Sequence, residues 1–376
     1  MSSPRQKQTR EMRQMGFTLM EAIVAMAAGL LVLGAAMMLF QQASSAGRTT
    51  MSKTEMEQNG RAALNFMLQD LGMAATDYQQ AGVRVPQSGS MMAIFGCSGC
   101  NTSTYPNNLA TPIVPYDKNS YLGTSDTITV VYVDNTWPPA GQTVATDTTT
   151  TPPSAKISST GDQITVTTAS FTDPTGTSRN YQDTMYGSKS GDVMMIWNPN
   201  GYALATVTGV ANGGVLTLAP GDQLNLNQTT AGAANVAALK SGALYPQSTA
   251  ATRLKVVTYF VTNTAGPDGV TGTSDDIPVL MRQVNGDPAG AKTVTDYIQN
   301  LQVTYDLYNP VSGVWQFAAT GFGGPAPTVT DPTQIRKINV ALQIRSQAKN
   351  SSGTYDTVWV SSSISPRDLS FTDRYK

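Results

Sequence analysis

One carboxylate lies where a charge is costly. The run Phe17–Phe40, FTLMEAIVAMAAGLLVLGAAMMLF, is apolar except for Glu21. Glu21 is also the only charged residue between Arg13 and Arg48. Inserting an acidic side chain at the centre of a bilayer costs about 2.5–3.5 kcal/mol, and such residues usually have a partner and a function. The simpler alternative is a side chain that reaches the headgroups. Glu21 is therefore the first candidate functional residue.

The two cysteines, Cys97 and Cys100, form a C-x-x-C pair. This spacing serves redox sites, halves of zinc sites and local disulfides. A thioredoxin-type redox pair lies at a helix N-terminus, whereas Phe95-Gly96 and Asn101-Thr102-Ser103 are typical of a loop. The sequence has no histidine to complete a zinc site. A disulfide that closes a short loop is the expectation, contributing about 1–3 kcal/mol.

Three aspartates, Asp268, Asp275 and Asp276, lie in the turn-rich segment Gly266–Ile277. Oxygen ligands on a flexible glycine loop suit Ca²⁺, although the spacing is not that of an EF-hand. A hairpin loop solvated by its aspartates is the favoured interpretation, and a calcium site is the alternative. No other cofactor is indicated.

The composition excludes several classes of function. The absence of histidine removes Ser-His-Asp and Cys-His catalysis. The 24 basic and 25 acidic residues nearly balance and form no basic stripe, so nucleic-acid binding is not expected. No pair of acidic residues stands out as a general acid and base, and there is no P-loop. The chain is predicted not to be an enzyme.

A basic segment and a long helix must position Glu21. Residues 1–16 carry four basic side chains against one acidic one, and this excess predicts a cytoplasmic N-terminus. As a helix, the apolar run would be about 36 Å long, enough for a bilayer core of about 30 Å. It is too long for the apolar region of a secretory signal peptide. Its small residues Ala25 and Gly29 would allow close helix approach.

Beyond the apolar run, the pattern becomes that of an amphipathic helix. Apolar side chains recur at three-and-four spacing between Met51 and Ala74. The charged residues are expected on the other faces of the helix, and they are Lys53, Glu55, Glu57, Arg61 and Asp70. We predict a nearly continuous helix from about Phe17 to Tyr78. Its glycines are weak points because glycine has low helix propensity, and they are Gly47, Gly60 and Gly72.

The segment Gly16-Phe17-Thr18-Leu19-Met20-Glu21, after its basic leader, resembles the class III signal of type IV prepilins. The resemblance implies that a membrane peptidase cuts after Gly16 and that the new terminal residue, Phe17, is N-methylated. It also implies that Glu21, with Thr18 and Leu19 beside it, takes part in assembly. Physically, a carboxylate in a low-dielectric helix bundle would pair with the terminal amine of a neighbouring subunit and so set the register.

The remainder of the chain predicts β-structure. Nine candidate strands alternate or are rich in β-branched residues, and they are Asp126–Asp134, Gln163–Thr168, Asp192–Asn198, Ala203–Val210, Leu254–Thr262, Ile277–Val284, Leu301–Leu307, Ile335–Ser346 and Thr357–Ser365. Pro138–Ser159 and Gln228–Ala251 are expected to be loops or insertions. The predicted fold class is α+β, a long N-terminal helix packed on a β-rich antiparallel-sheet domain.

The predicted organisation has four parts: a cleaved leader at 1–16, a helix at 17–78 with its transmembrane segment at 17–40, a β-rich variable region at 79–250 and a β-rich C-terminal region at 251–376. A division into two domains, with a seam near Tyr245–Arg253, is the alternative.

Two further segments resemble minor pilins of the PilW and PulJ type. One is Glu55–Asp77, which resembles the second part of their N-terminal helix. The other is the C-terminal third, with the order LKVVTYFVT, IPVLMRQVNG, DYIQNLQVTYDLY, IRKINVALQIRS and SPRDLSF. Loops like Gly266–Ile277 also occur in pilins and pseudopilins.

The resemblance implies a minor pilin that helps to initiate type IV pilus filaments in a complex at the filament tip. It implies as partners a prepilin peptidase and methylase, other minor pilins, a major pilin and the inner membrane, with the globular domain periplasmic or extracellular. The alternative is a pseudopilin of a type II secretion system. A membrane-stalked binding protein or enzyme is the alternative from another class.

Overall fold

The structure is a computed structural model. It describes residues 18–80, 82–86, 109–116, 124–136, 142–149, 154–166, 170–173, 175–228, 235–240, 249–287, 290–321, 325–350 and 352–370. Two compact units make up the chain, Met1–Glu55 and Met56–Lys376.

The elements follow in chain order. The first are α1 (Leu19–Gly72), β1 (Val83–Arg84), β2 (Leu109–Ala110), β3 (Ile113–Tyr116), β4 (Thr127–Val133), β5 (Gln142–Thr143), β6 (Thr146–Asp147) and β7 (Ser154–Ala155). Next are β8 (Gln163–Thr165), β9 (Ser170–Thr172), β10 (Ser178–Asn180), β11 (Val193–Asn198), β12 (Gly201–Thr206), β13 (Gly209–Ala211) and β14 (Val215–Thr217). The last are β15 (Ala250–Thr264), β16 (Ile277–Val284), β17 (Lys292–Asp296), β18 (Ile298–Asn309), β19 (Val314–Ala319), β20 (Ile335–Lys349), β21 (Tyr355–Ile364) and α2 (Arg367–Ser370). Two 3₁₀ helices span Val236–Lys240 and Pro332–Gln334.

The α1 part of the first unit is exposed along its whole length. In residues 18–55 every described side chain is exposed except those of Ala22 and Ser52, which are partly covered. Among the described residues, α1 is the one helix long and apolar enough to cross a membrane. A helix that is apolar all round needs an apolar environment, and a membrane span satisfies its backbone internally.

The largest sheet of the second unit has eight strands, all paired antiparallel. Its main path is β12-β11-β15-β16-β17, with β3, β4 and β5 attached through β15. The long strand β15 pairs with β11 over Ala250–Leu254 and with β16 over Val257–Thr264. Its neighbour β4, with the sequence TITVVYV, is buried on both faces, as its continuous β-branched run indicates. Strands from both sides of residue 250 therefore share one sheet.

A second antiparallel sheet of the same unit has the order β19-β18-β20-β21. In β20, Ile338, Val340, Leu342 and Ile344 are buried while the residues between them are partly exposed. This period of two places one face of the sheet on a core and the other towards solvent. The two ends of this sheet, β19 and β21, are edge strands.

The main core of the second unit lies between residues 56–72 of α1 and the two large sheets. Its helix side chains are Met56, Ala63, Leu64, Met67 and Leu71. The sheet residues come from both large sheets, among them Ile128, Tyr259, Leu301 and Leu342. Two smaller clusters of buried apolar side chains lie in the region around β11 and β12. The predicted α+β arrangement, a long apolar helix followed by a β-rich antiparallel domain, is confirmed.

Several element boundaries differ from the predictions. The helix ends at Gly72, not near Tyr78, and turns follow in which Ala75 and Asp77 have positive φ angles of 71° and 54°. A left-handed backbone cannot continue a right-handed helix. The predicted strand Ala203–Val210 is split between β12 and β13. Strands β17 and β19 were not predicted, because partly exposed edge strands carry a weak hydrophobic pattern.

Gly60 brings α1 close to the second sheet. A Cβ at this position would lie 2.6 Å from Cδ1 of Ile344 and 2.7 Å from Cγ2 of Val360. Gly47, on the same helix, would meet nothing within 4 Å. The glycine at 60 is therefore required by packing, although it lowers helix propensity.

We predict that Gly60→Ala lowers the melting temperature of the full chain in detergent, measured by near-ultraviolet circular dichroism. Overpacking of a core costs about 1–3 kcal/mol, which outweighs the gain of about 1 kcal/mol in helix propensity. The matched control, Gly47→Ala, should leave the transition unchanged or slightly higher. Equal melting temperatures for the two variants would contradict the packing role of Gly60.

Candidate functional site

The start of α1 forms a reciprocal cap between Thr18 and Glu21. The backbone N–H and the hydroxyl of Thr18 donate to Oε2 of Glu21 at 3.4 and 3.3 Å. The backbone N–H of Glu21 donates to Oγ1 of Thr18 at 3.4 Å. This is the capping-box pattern, in which a residue before the helix and one three positions later satisfy each other's N–H groups. The distances are long, so each contact is weak.

This cap gives Glu21 a second role that the sequence analysis did not consider. The signal was present, because Thr18-Leu19-Met20-Glu21 matches the [ST]-x-x-[EQ] signature of a helix start. A carboxylate at a helix N-terminus also interacts favourably with the helix dipole. Leu19 beside it is 80% exposed. The predicted cleavage and methylation residues, Gly16 and Phe17, lie outside the described residues.

Asp70, near the other end of α1, joins the helix to the large sheet. The hydroxyls of Tyr132 and Tyr259 donate to its carboxylate at 2.7 and 2.5 Å. The guanidinium of Arg282 donates through Nε at 2.7 Å and through Nη2 at 3.2 Å. The same guanidinium lies 5.7 Å from the ring centroid of Phe66, one helical turn before Asp70. We call Asp70, Tyr132, Tyr259 and Arg282 the Asp70 cluster.

The Asp70 cluster keeps the carboxyl group of Asp70 ionised. Burial alone would raise the pKa of Asp70, but hydrogen bonds from Arg282, Tyr259 and Tyr132 and the charge of Arg282 outweigh it, so the pKa lies below 3.8. Burial and the neighbouring carboxylate raise the pKa of Tyr132 and of Tyr259 above the ordinary value of 10.0. Both tyrosines therefore remain hydrogen-bond donors at neutral pH, and the arrangement serves to hold elements together.

Asp70 was predicted on a face other than the apolar one, but in contrast to Glu57 and Arg61 it lies largely out of solvent. Its side chain is 13% exposed, whereas Glu57 and Arg61 form an exposed i,i+4 pair at 3.9 Å, as expected of a surface face. The partners of Asp70 come from β4, β15 and β16, at sequence separations of 62, 189 and 212 residues. No local pattern carries that information.

Arg253 is the centre of a second buried polar cluster at one end of the large sheet. It donates to Asp134 at 3.0 Å, to the Gly187 carbonyl at 2.7 Å and to Asp192 at 3.3 Å. Burial raises the pKa of Asp192. Burial also acts to raise the pKa of Asp134, but Thr136, Arg253 and Lys255 outweigh it and the pKa is lowered. The cluster pairs charges from β11, β15 and the end of β4, so its role is structural.

The predicted calcium residues come together in the loop between β15 and β16. Asp275 Oδ1 accepts from the Thr273 hydroxyl at 2.6 Å, and Asp276 Oδ2 accepts from the Gly272 N–H at 2.7 Å. Asp268 Oδ1 accepts from the Val270 N–H at 2.8 Å. These bonds build the turn, in which Asp268 is exposed, as the solvated-loop interpretation expects, whereas Asp276 is buried. In the described part of the chain no group of three acidic, cysteine or histidine side chains is arranged to hold a metal, and calcium binding stays a prediction.

The predicted disulfide residues, Cys97 and Cys100, lie outside the described residues. Their pairing also stays a prediction.

We predict that Asp70→Asn lowers the free energy of unfolding by about 1.5–3 kcal/mol, the range for hydrogen bonds to a charged group. Because the pKa of Asp70 in the folded chain is depressed, its contribution is complete above pH 3.8 and is lost as the pH falls through the folded-state pKa. The difference between wild type and Asp70→Asn, measured by urea unfolding, should therefore shrink below that pH.

The control for Asp70→Asn is the same substitution at the exposed Asp77, whose positive φ of 54° asparagine also adopts readily. Asp77→Asn should change stability little at any pH. A difference between Asp70→Asn and wild type that did not depend on pH would contradict the charge-based role of Asp70.

Comparisons of the chain with protein-family models, with curated proteins and with solved structures found no match. The function is therefore inferred from the residues and their contacts.

Proposed function

We propose that this chain is a minor pilin-type subunit of the PilW kind, which helps to initiate a type IV pilus filament and assembles into it through its N-terminal helix. The role is structural rather than enzymatic. The observation that carries the proposal is the combination of a prepilin-like segment at Gly16–Glu21 with a fully exposed apolar helix that begins beside it.

The two parts of α1 support two different aspects of this role, membrane anchoring and attachment to the β-rich unit. Residues 19–40 present large apolar side chains that find no cover in their own unit, such as Leu30, Leu31 and Phe40, which are 70%, 76% and 75% exposed. Such a surface requires lipid or other helices. Residues 56–72 instead lie in the core of the β-rich unit. Residues 19–40 can thus serve as a membrane anchor, while residues 56–72 are part of the core of the β-rich unit.

Glu21 would set the register of assembly. In water its side chain needs no partner, but in lipid or a helix bundle an unpaired carboxylate is costly. Cleavage after Gly16 would create an α-amine at Phe17, and in the assembled filament the Glu21 of one subunit would pair with the amine of another. Breaking a buried ion pair by removing one partner typically costs about 3–5 kcal/mol, which is sufficient to reject misaligned helices.

The surrounding partners follow from this role. They are a prepilin peptidase and methylase, further minor pilins, a major pilin and the inner membrane, with the β-rich unit on the periplasmic or extracellular side. A pseudopilin of a type II secretion system would use the same helix chemistry. Copurification with pilus subunits or with secretion-system subunits separates the two.

We predict that the mature chain begins at Phe17 and carries an N-methyl group. The measurement is intact-mass and N-terminal peptide mass spectrometry of the protein isolated from cells that contain a prepilin peptidase. Cells without the peptidase provide the control and should yield the unprocessed chain. A mature N-terminus anywhere else would refute the processing step.

A further prediction separates the charge of Glu21 from its capping role. Glutamine can replace glutamate in a capping box but cannot form an ion pair. We expect Glu21→Gln and Glu21→Ala to reduce incorporation into filaments similarly, by about tenfold or more, because both remove the charge. Quantitative immunoblotting of sheared filaments against membrane-bound protein measures this.

The control is Glu57→Gln, since Glu57 is an exposed acid on the same helix and its substitution should leave incorporation unchanged. If Glu21→Gln assembled like wild type, the cap alone would explain the glutamate and the register role would be wrong.

A further inference from the structure

The outer face of the second sheet carries a shallow polar groove. The inner face of β18, β20 and β21 is in the core, and the alternate residues point outward. The groove encloses about 310 Å³. We call it the outer groove and define its floor by six outward side chains, which are Gln302, Thr304, Asn339, Ala341, Ser361 and Ser363.

The strand register arranges the floor in rows across the sheet. Gln302 pairs with Ala341, which pairs with Ser361. The next row is Thr304, Asn339 and Ser363. The rows consist of hydroxyl-bearing and amide side chains, except that the small side chain of Ala341 lies between Gln302 and Ser361.

Much of the hydrogen-bonding capacity of the outer groove is unused. Among the residues that the structure describes, the side-chain hydroxyls of Thr304, Ser361 and Ser363 have no hydrogen-bond partner. Each hydroxyl offers one donor and two acceptor sites. Asn339 donates through Nδ2 to Asp306 at 3.1 Å, which fixes the orientation of its amide.

Exposed aromatic side chains lie on the same face of the sheet, outside the floor of the outer groove. Trp359 follows in the row beyond Ser361, is paired with Gln343 and is 50% exposed. On β19, beyond the row of Asp306 and Lys337, Trp315 and Phe317 are stacked with centroids 6.0 Å apart and planes at 6°, and they are 50% and 65% exposed. Tyr308 packs on Trp315 at 5.1 Å. Strand β18 extends about 27 Å from Asn300, which lies in the row of Trp359, to Tyr308, which pairs with Trp315.

The charge of the outer groove restricts its ligand. No residue of the floor is ionisable, and the nearest acid, Asp306, is met by Asn339 and by Lys337 at 3.9 Å. Over the floor itself an ionic ligand would lose its hydration without gaining a counter-charge. Lys337, in the row between the floor and Trp315, is 43% exposed and already pairs with Asp306.

A neutral sugar matches each of these features. Its hydroxyls can both donate to and accept from the serine, threonine and amide groups of the floor. The C–H groups on the face of a pyranose ring carry partial positive charge and pack on the negative face of an aromatic ring. The separation of about 27 Å between the row of Trp359 and that of Trp315 favours a chain of several sugar residues over a single one.

We propose that the outer groove binds a neutral linear oligosaccharide. Thr304, Ser361 and Ser363 contact its hydroxyls, Trp359 stacks on a sugar ring in the row beside the floor, and Trp315 stacks on another ring further along the same face. This inference does not depend on the proposed filament role. It places a ligand-binding surface on the face of the sheet opposite to the one that packs on α1.

Isothermal titration calorimetry of the purified full chain tests the proposal. The chain is kept in a zwitterionic detergent, since maltoside or glucoside detergents would compete for the groove. Maltohexaose, cellohexaose and chitohexaose are the probes. We expect at least one of them to bind saturably with Kd below about 1 mM, and we expect Trp359→Ala and Trp315→Ala each to weaken that binding about tenfold or more.

The matched control is Tyr202→Ala, since Tyr202 is an exposed aromatic residue on β12 of the other sheet, 40% exposed. It should bind the sugar like wild type, and all variants should show the wild-type melting temperature. Absence of saturable binding by all three hexasaccharides would overturn the proposal. So would equal affinity in wild type and both tryptophan variants, or self-association through this face that no sugar disperses.

Discussion

The packing of residues 56–72 of α1 onto two sheets is the contact on which the β-rich unit depends. Met67 and Leu71 are fully buried there, and Gly60 lets the helix backbone approach Ile344 and Val360. The Asp70 cluster then fixes the position of the helix, because the carboxylate accepts from β4, β15 and β16 together. Apolar burial supplies most of the stabilisation, while the directed hydrogen bonds select one placement of the helix.

The long elements could be predicted from local pattern and the tertiary contacts could not. Ile277–Val284 was predicted with its observed bounds, because its buried apolar run stands between turn-forming residues. The edge strands β17 and β19 were missed, since their side chains alternate little between core and solvent. The Asp70 cluster joins residues far apart in sequence. The outer groove is likewise invisible in the sequence, because serine and threonine in strands look the same whether or not they line a cleft.

Glu21 illustrates how one side chain can satisfy two environments. At the beginning of α1 it caps the helix with Thr18, so its position is defined before any partner arrives. In an assembled bundle the same carboxylate would meet a neighbouring amine. The cap contacts are long and therefore weak, and exchanging them for an ion pair would cost little.

The burial of α1 across both sheets also has a mechanical consequence. A pull on Met56 along the axis of residues 56–72 loads the side chains that pack on the two sheets in shear, so many contacts resist it simultaneously. Separating the helix from the sheets in this direction would require these contacts to break together. Lifting the helix from one end would instead break them one after another. The ion pair between Arg282 and Asp70 also connects the helix to β16, within the eight-stranded sheet. A pull on residues 56–72 is therefore shared with the eight-stranded sheet.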